Sequence, residues 1–227
     1  MRRRRVAGLL VALLAVPACA PKVKRQPLVR AAPPATEWPR PEVMELAERA
    51  WRCGWQSGEF SYPLLTVIDY SLPSTERRLW VIDMVNRRVL DNELVAHGEA
   101  SGGNNAVEFS NRVGSHQSSL GLFRTEDTYV GGSGYSLRLT GLEPGVNDRA
   151  MKRNIVVHGA DYVDSGVIPE LGRLGRSHGC PALPRAVARS VIDLIKGGSA
   201  LFAYYPDQQW MQESQFLHCG GVLTAGR

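Results

Sequence analysis

The chain has 227 residues, 44% of them hydrophobic, which is enough for one domain with a substantial core and some additional segments. Its formal net charge is +5, but Arg2 to Arg5 place four of the 27 basic residues at the extreme N-terminus. After residue 20 there remain 23 basic and 22 acidic residues. This balance argues against a nucleic-acid-binding protein, because such proteins concentrate Lys and Arg on one face to neutralise phosphates.

Residues 1–20 have the layout of a secretory signal: a run of arginines, an apolar stretch over 6–16, and small residues around Cys19. The apolar stretch is well short of the roughly 20 residues that a membrane-spanning helix needs. Cleavage after Ala20 would release an ordinary exported protein. Cleavage before Cys19 would leave a cysteine for lipid attachment, as in a bacterial lipoprotein. Both routes predict an exported protein of the periplasm or cell envelope.

Four cysteines are present, at positions 19, 53, 180 and 219. Thiols tend to pair outside the cytoplasm. If Cys19 carries lipid and Cys180 does chemistry, Cys53 and Cys219 are left over. They would either bridge the beginning and the end of the domain or remain two unpaired thiols, because sequence alone does not give connectivity.

The predicted elements begin with a tether. Residues 21–40 are rich in proline and have no apolar periodicity, which is typical of an extended linker. A helix is predicted over 41–57, where Pro41 suits the first turn and apolar residues recur at helical spacing. Three strands are predicted next, at 64–70, 79–84 and 89–96, and the last two are expected to form a hairpin.

The second half of the chain begins with residues 98–121, which are rich in Gly, Ser and Asn and are predicted to form a long functional loop. Beyond Pro206 the pattern fades, which predicts a tail that is loosely ordered apart from Cys219. The domain over 41–227 is therefore expected to be mainly β with a few short helices. The remaining predicted elements are strands at 135–139, 154–158 and 201–205, and a helix at 186–196.

The strongest chemical pattern is His158-Gly159 followed by Ser177-His178-Gly179-Cys180. A cysteine nucleophile reacts as the thiolate and needs a nearby base, which a histidine at a strand end can supply. Gly179 allows the chain to turn tightly before the cysteine. The backbone N–H groups of Gly179 and Cys180 are then candidates for binding an oxyanion.

This motif and its flanking segments resemble the YkuD-like L,D-transpeptidase catalytic domain family, in its murein branch. The resemblance covers about residues 60–207 and departs from the family pattern at two points. The spacing from His158 to Ser177 is slightly long, which indicates a small insertion around 161–170. The family usually has Arg or Asn two residues after the cysteine, where this chain has Ala182. The flanking matches lie at 95–98, 109–111, 114–121, 135–139, 172–177 and 202–206.

The resemblance implies a YkuD-like β-sandwich or barrel catalytic domain that acts on the peptide stems of peptidoglycan. Cys180 would attack the carbonyl of the third stem residue and expel the terminal D-Ala. His158 would act as base, oriented by the backbone carbonyl of Gly159. Transfer of the acyl group from the Cys180 thioester to an amine would make the enzyme a transpeptidase. Transfer of the acyl group to water would make it a carboxypeptidase or endopeptidase. No cofactor, metal or nucleic acid is expected.

The remaining site residues carry open alternatives. His178 either takes part in catalysis or only holds the loop by hydrogen bonds. Substrate contacts are predicted for Arg176, Ser177 and Gly179, although a turn hydroxyl at Ser177 and a solvated guanidinium at Arg176 fit equally well.

Three other classes compete with this hypothesis. A zinc peptidase would take ligands from His158, His178 and Cys180, with His116 as a further donor. A papain-like hydrolase would place its cysteine before its histidine, opposite to the order here. A non-catalytic wall-binding lipoprotein with a degenerate site would not need an intact His158 and Cys180.

Overall fold

The chain is described by a computed structural model over residues 38–219, so the predicted signal segment and most of the predicted tether lie outside the described residues. Eight strands form one sheet in the order β3-β2-β1-β8-β4-β5-β6-β7. The strands are β1 (Leu64–Asp69), β2 (Arg77–Asp83), β3 (Arg88–Leu94), β4 (Gly121–Gly131), β5 (Gly134–Gly141), β6 (Val156–Ala160), β7 (Ala182–Pro184) and β8 (Ala200–Tyr204).

The sheet curves into a nearly closed barrel. The β1–β8 and β6–β7 pairs are parallel, and the other neighbouring pairs are antiparallel. A bridge between Ala96, just after β3, and Ala182 in β7 brings the two edges of the sheet together. The prediction of a mainly β, barrel-like domain with few helices is therefore confirmed.

Within residues 38–219, four α-helices accompany the sheet: α1 (Pro41–Gln56), α2 (Ile168–Leu171), α3 (Arg185–Ile195) and α4 (Gln208–Glu213). The apolar face of α1 contributes Val43, Ala47 and Ala50 to the core, against β1 and β8. No helix within residues 38–219 is long and apolar enough to cross a membrane.

Helix α3 packs closely on β6, the strand that carries His158. A Cβ atom on Gly159 would lie 2.8 Å from the Cβ of Ala188 in α3, so only glycine permits this approach. The buried face of α3, which includes Val191, Ile192 and Ile195, then joins the hydrophobic core. Gly159 thus has a packing role in addition to its predicted role beside the imidazole.

The prediction of a loosely ordered tail after Pro206 is wrong for residues 207–218. Asp207 caps α4 by accepting a hydrogen bond from the Trp210 N–H at 2.8 Å. The indole of Trp210 is buried and donates to Glu143 at 3.0 Å. A disulfide then joins Cys219 to Cys53 at the end of α1, the bridged one of the two alternatives. These long-range contacts leave no periodic pattern in the local sequence.

Candidate active site

Two adjacent parallel strands bring His158 and Cys180 to one cavity. His158 in β6 is in register with Ala182 in β7, and Cys180 stands two residues before Ala182. The thiol therefore lies beside the start of β6, where it accepts a hydrogen bond from the Val156 N–H at 3.4 Å. The cavity has a volume of about 400 Å³ and is lined by Ser133, Arg153, Asn154, His158, Tyr162, Arg176, Ser177, His178 and Cys180.

The imidazole of His158 is buried and held by its neighbour. Its Nδ1 lies 3.2 Å from the backbone oxygen of Gly159. Because a carbonyl can only accept, Nδ1 carries the proton and Nε2 keeps a lone pair. Burial lowers the pKa of His158, and the charge of Arg185 adds to this, while the hydrogen bond to Gly159 opposes it. His158 is therefore a neutral base at neutral pH.

Cys180 is a free, half-buried cysteine. Its Sγ also lies 3.5 Å from the backbone oxygen of Asn154. Burial raises the pKa of the Cys180 thiol, while the Val156 N–H and the charge of Arg153 act in the opposite direction. Burial thus disfavours both a thiolate and an imidazolium, so the resting pair is a neutral thiol and a neutral imidazole.

The loop that leads to Cys180, residues 177–180, is called the cysteine loop and is fixed by Ser177. Its hydroxyl donates to the Cys180 backbone oxygen at 2.6 Å and accepts from the Gly179 N–H at 3.1 Å. The Gly179 N–H is therefore already used within the loop. Of the two amide groups predicted for an oxyanion, only the Cys180 N–H has no acceptor among residues 38–219.

Gly179 has a backbone conformation that a side chain would strain. Its φ is +117°, and a Cβ atom there would lie 2.7 Å from the Gln117 backbone oxygen and 3.0 Å from the Ile155 side chain. We expect Gly179→Ala to lower the free energy of unfolding by about 1–3 kcal/mol, as measured by urea denaturation. Gly114→Ala is the control, because Gly114 has φ +75° with nothing within 4 Å of the added atom. Equal losses in the two variants would contradict the steric argument.

Arg153 is a site residue that the sequence did not reveal. It lines the cavity, and its positive charge lowers the pKa of Cys180. Its guanidinium also donates hydrogen bonds to the predicted loop at 98–121. A single arginine three residues before a strand has no distinguishing pattern, so only the fold shows its position. Its four hydrogen-bond acceptors are Ser110, Ser115, Gln117 and Ser119.

The rim of the cavity carries a cluster of Glu99, His116 and His178. The rings of His116 and His178 stack with centroids 4.3 Å apart. Glu99 Oε1 lies 2.7 Å from His116 Nδ1 and 3.6 Å from His178 Nε2. The hydrogen bond from His116 is the main cause that lowers the pKa of Glu99. The predicted site residue His178 is thus in the site, but its ring faces this cluster.

Arg176 also reaches the cavity wall, but part of its guanidinium is already engaged. Its Nη1 donates to the backbone oxygens of Glu99 at 3.1 Å and Gly102 at 2.8 Å. These bonds hold the turn at Glu99 against the cysteine loop. The remaining N–H groups of Arg176 can still meet a substrate carboxylate, which stays a prediction.

The zinc-peptidase alternative required His158, His178 and Cys180 to converge. Within the described residues, the donor atoms that converge to within 4.8 Å belong to Glu99, His116 and His178. Neither His158 nor Cys180 is part of that group. The set of His158, His178 and Cys180 is therefore wrong as a zinc site within the described residues, whereas two of the four candidate donors, His116 and His178, do converge.

The buried side chains of Arg78 and His97 support the cysteine loop. Arg78 is fully buried and donates to Nδ1 of His97 at 2.7 Å. The backbone oxygen of His97 accepts from the Ser177 N–H at 3.0 Å. Burial, followed by the charge of Arg78, lowers the pKa of His97 to about 4. His97 therefore supports the loop in its neutral form.

This low pKa predicts a loss of stability in mild acid. The unfolded chain, with an ordinary histidine pKa of about 6.5, binds more protons than the folded chain between that pH and about 4. The contribution of His97 is complete above pH 6.5 and falls by on the order of 3 kcal/mol as the pH falls towards 4. Urea denaturation across this range should show the decline, and His97→Gln should flatten it. The same change at exposed His218 should leave it unaltered.

One family model matches most of the chain. Residues 37–204 match the family model described as L,D-transpeptidase catalytic domain. An L,D-transpeptidase from Mycobacterium smegmatis is 16% identical with a TM-score of 0.39, covering 63% of this chain and 59% of that one. L,D-transpeptidase 1 from Mycobacterium tuberculosis is 15% identical with a TM-score of 0.36, covering 63% and 62%.

A third solved structure, an L,D-transpeptidase from Xylanimonas cellulosilytica, is 15% identical with a TM-score of 0.35, covering 76% of this chain and 100% of that one. This chain thus spans less than two thirds of the length of the two mycobacterial structures. The comparison with curated proteins gives no significant match.

Proposed function

Since the chain belongs to the L,D-transpeptidase catalytic domain family, we propose that it is an exported peptidoglycan L,D-transpeptidase with Cys180 as its nucleophile. One observation carries the proposal. Cys180 and a buried His158, whose Nδ1 is held by the Gly159 carbonyl, line the same cavity on neighbouring strands. That arrangement supplies a thiol, a base with a fixed tautomer, and space for a peptide.

In the acylation step, Cys180 Sγ forms a bond to the carbonyl carbon of the third stem residue as His158 Nε2 takes the thiol proton. Attack and proton transfer are coupled, because burial disfavours a preformed ion pair of these two residues. The Cys180 N–H is the candidate donor to the oxyanion. The bond to the terminal D-Ala then breaks, and His158 returns the proton to the departing amine.

In the second step, an amine of a neighbouring stem attacks the thioester. His158 accepts the proton of that amine, the new amide forms, and the thiol of Cys180 is restored. Water in place of the amine would give a shortened tripeptide stem. Both outcomes share one acyl-enzyme, so the acceptor decides between transpeptidase and carboxypeptidase.

We also place the enzyme in the cell envelope, with residues 1–20 as the signal region, cleaved before Cys19 so that this cysteine carries lipid, and residues 21–40 as tether. The N-terminal sequence pattern supports this location. The disulfide between Cys53 and Cys219 is consistent with it, because such bonds persist in oxidising compartments.

The test is incubation of the protein with purified disaccharide-tetrapeptide, followed by mass spectrometry of the products, beside Cys180→Ala. A dimer that is one D-Ala lighter than two substrates, absent in Cys180→Ala, is the expected product. Tripeptide alone would keep the nucleophile but change the activity to L,D-carboxypeptidase. A dimer that persists in Cys180→Ala would overturn the proposal.

A further inference from the structure

The cluster of Glu99, His116 and His178 is not used by the proposed mechanism, yet its donor atoms converge. One oxygen of Glu99 and one nitrogen of each histidine all lie within 4.8 Å of one another. Glu99 and His116 lie near opposite ends of the predicted loop at 98–121, and His178 lies in the loop before Cys180. The fold, and not local sequence, therefore assembles this set.

Two of the separations within the cluster are close to those between the ligand atoms of a tetrahedral metal ion. Bonds of about 2.0–2.1 Å at tetrahedral angles place neighbouring ligand atoms roughly 3.3 Å apart. The observed distances from Glu99 Oε1, 2.7 Å to His116 Nδ1 and 3.6 Å to His178 Nε2, lie on either side of this value. The two rings stack with planes 17° apart, so that binding one ion in the plane of both rings requires the exposed side chains of His116 and His178 to rotate apart.

Two further features favour a ligand at this position. His116 is a non-glycine residue at φ +55°, and the contact of its Nδ1 with Glu99 Oε1 at 2.7 Å orients its ring towards the carboxylate. The side chains are open to solvent, with exposed fractions of 45% for Glu99, 45% for His116 and 74% for His178. An ion can therefore enter without any opening of the fold.

We propose that Glu99, His116 and His178 bind a zinc ion at the rim of the catalytic cavity, and that the bound ion restricts access to Cys180. Two imidazoles and a carboxylate are a donor set that zinc favours, with water in the fourth position. His178 lines the cavity and stands two residues before Cys180. Zinc and its water would thus occupy the rim and fix the ring of His178 there.

Binding is tested by calorimetric titration of zinc into the untagged chain, with Cys19→Ser and Cys180→Ser in every sample so that no thiol competes. One zinc per chain is expected. His116→Gln or Glu99→Gln should weaken binding by a factor of about ten or more, whereas His218→Gln, at an exposed histidine outside the cluster, should not. Absence of binding, or affinity unaffected by His116→Gln, would overturn the proposal.

The effect on access is tested by the rate at which iodoacetamide alkylates Cys180, read by mass spectrometry of its peptide in a Cys19→Ser chain. Zinc should slow alkylation severalfold in the parent and have no effect in His116→Gln. Equal slowing in His116→Gln would mean that zinc binds the thiol itself, which would refute the rim site. Neither measurement uses peptidoglycan, so failure here is distinguishable from failure of the proposed function.

Discussion

Replacement of His158 by glutamine is expected to slow acylation of Cys180 by about a thousandfold, because it removes the base without emptying the space. The resting thiol and imidazole are both neutral, since burial raises the pKa of Cys180 and lowers that of His158. Without the imidazole, the thiol must lose its proton to solvent. Single-turnover formation of the acyl-enzyme from disaccharide-tetrapeptide, followed by mass spectrometry, measures this rate.

The pH dependence of the same rate gives a second readout. In the parent, the rate should fall only below the usual histidine range, because the pKa of His158 is lowered. In His158→Gln this acidic limb should disappear and the rate should rise steadily with pH as free thiolate forms. His178→Gln is the matched control, and it should lose less than about tenfold because its exposed ring faces Glu99. Equal losses in the two variants would contradict the assignment of His158 as base.

The sequence predicts those parts of the fold that have a clean period. The helix at 41–57 and the strands at 64–70, 79–84 and 89–96 correspond to α1, β1, β2 and β3 with small shifts at their ends. Strand β4 was missed because Arg124, Glu126 and Asp127 interrupt its apolar pattern, and its pairing with β5 shifts register between Thr125 and Thr128. Strand β7, with three residues, is too short to show any period.

The candidate site likewise contains residues that the sequence predicts and residues that only the fold shows. The motif at 177–180 and the pair at 158–159 can be found from residue type and spacing, since a nucleophile, a base and a glycine turn have recognisable local patterns. Glu99 and Arg153 cannot, because their importance comes from contacts with residues distant in sequence. Ser177 shows the intermediate case: the sequence marks it, but only the structure shows that its hydroxyl is used inside the loop.

Arg153→Met is expected to slow acylation of Cys180 by about a hundredfold, for two separable reasons. The change removes the positive charge that lowers the pKa of the thiol, so alkylation of Cys180 should require higher pH. It also removes the four hydrogen bonds that hold the loop at 110–119, whose Gln117 backbone oxygen packs against Gly179. Acyl-enzyme formation and the pH profile of alkylation by iodoacetamide measure the two effects.

Arg153→Lys separates the charge of Arg153 from its hydrogen bonds. A lysine keeps the charge, but its single ammonium group has three donors and cannot reproduce a planar fork that meets four acceptors. We therefore expect Arg153→Lys to keep the parent pH profile of alkylation while acylation remains slow. Arg149→Met, at an exposed arginine outside the cavity, should match the parent in both assays. A parent-like alkylation profile in Arg153→Met would show that Arg153 acts on the loop alone and that its charge does not reach the thiol.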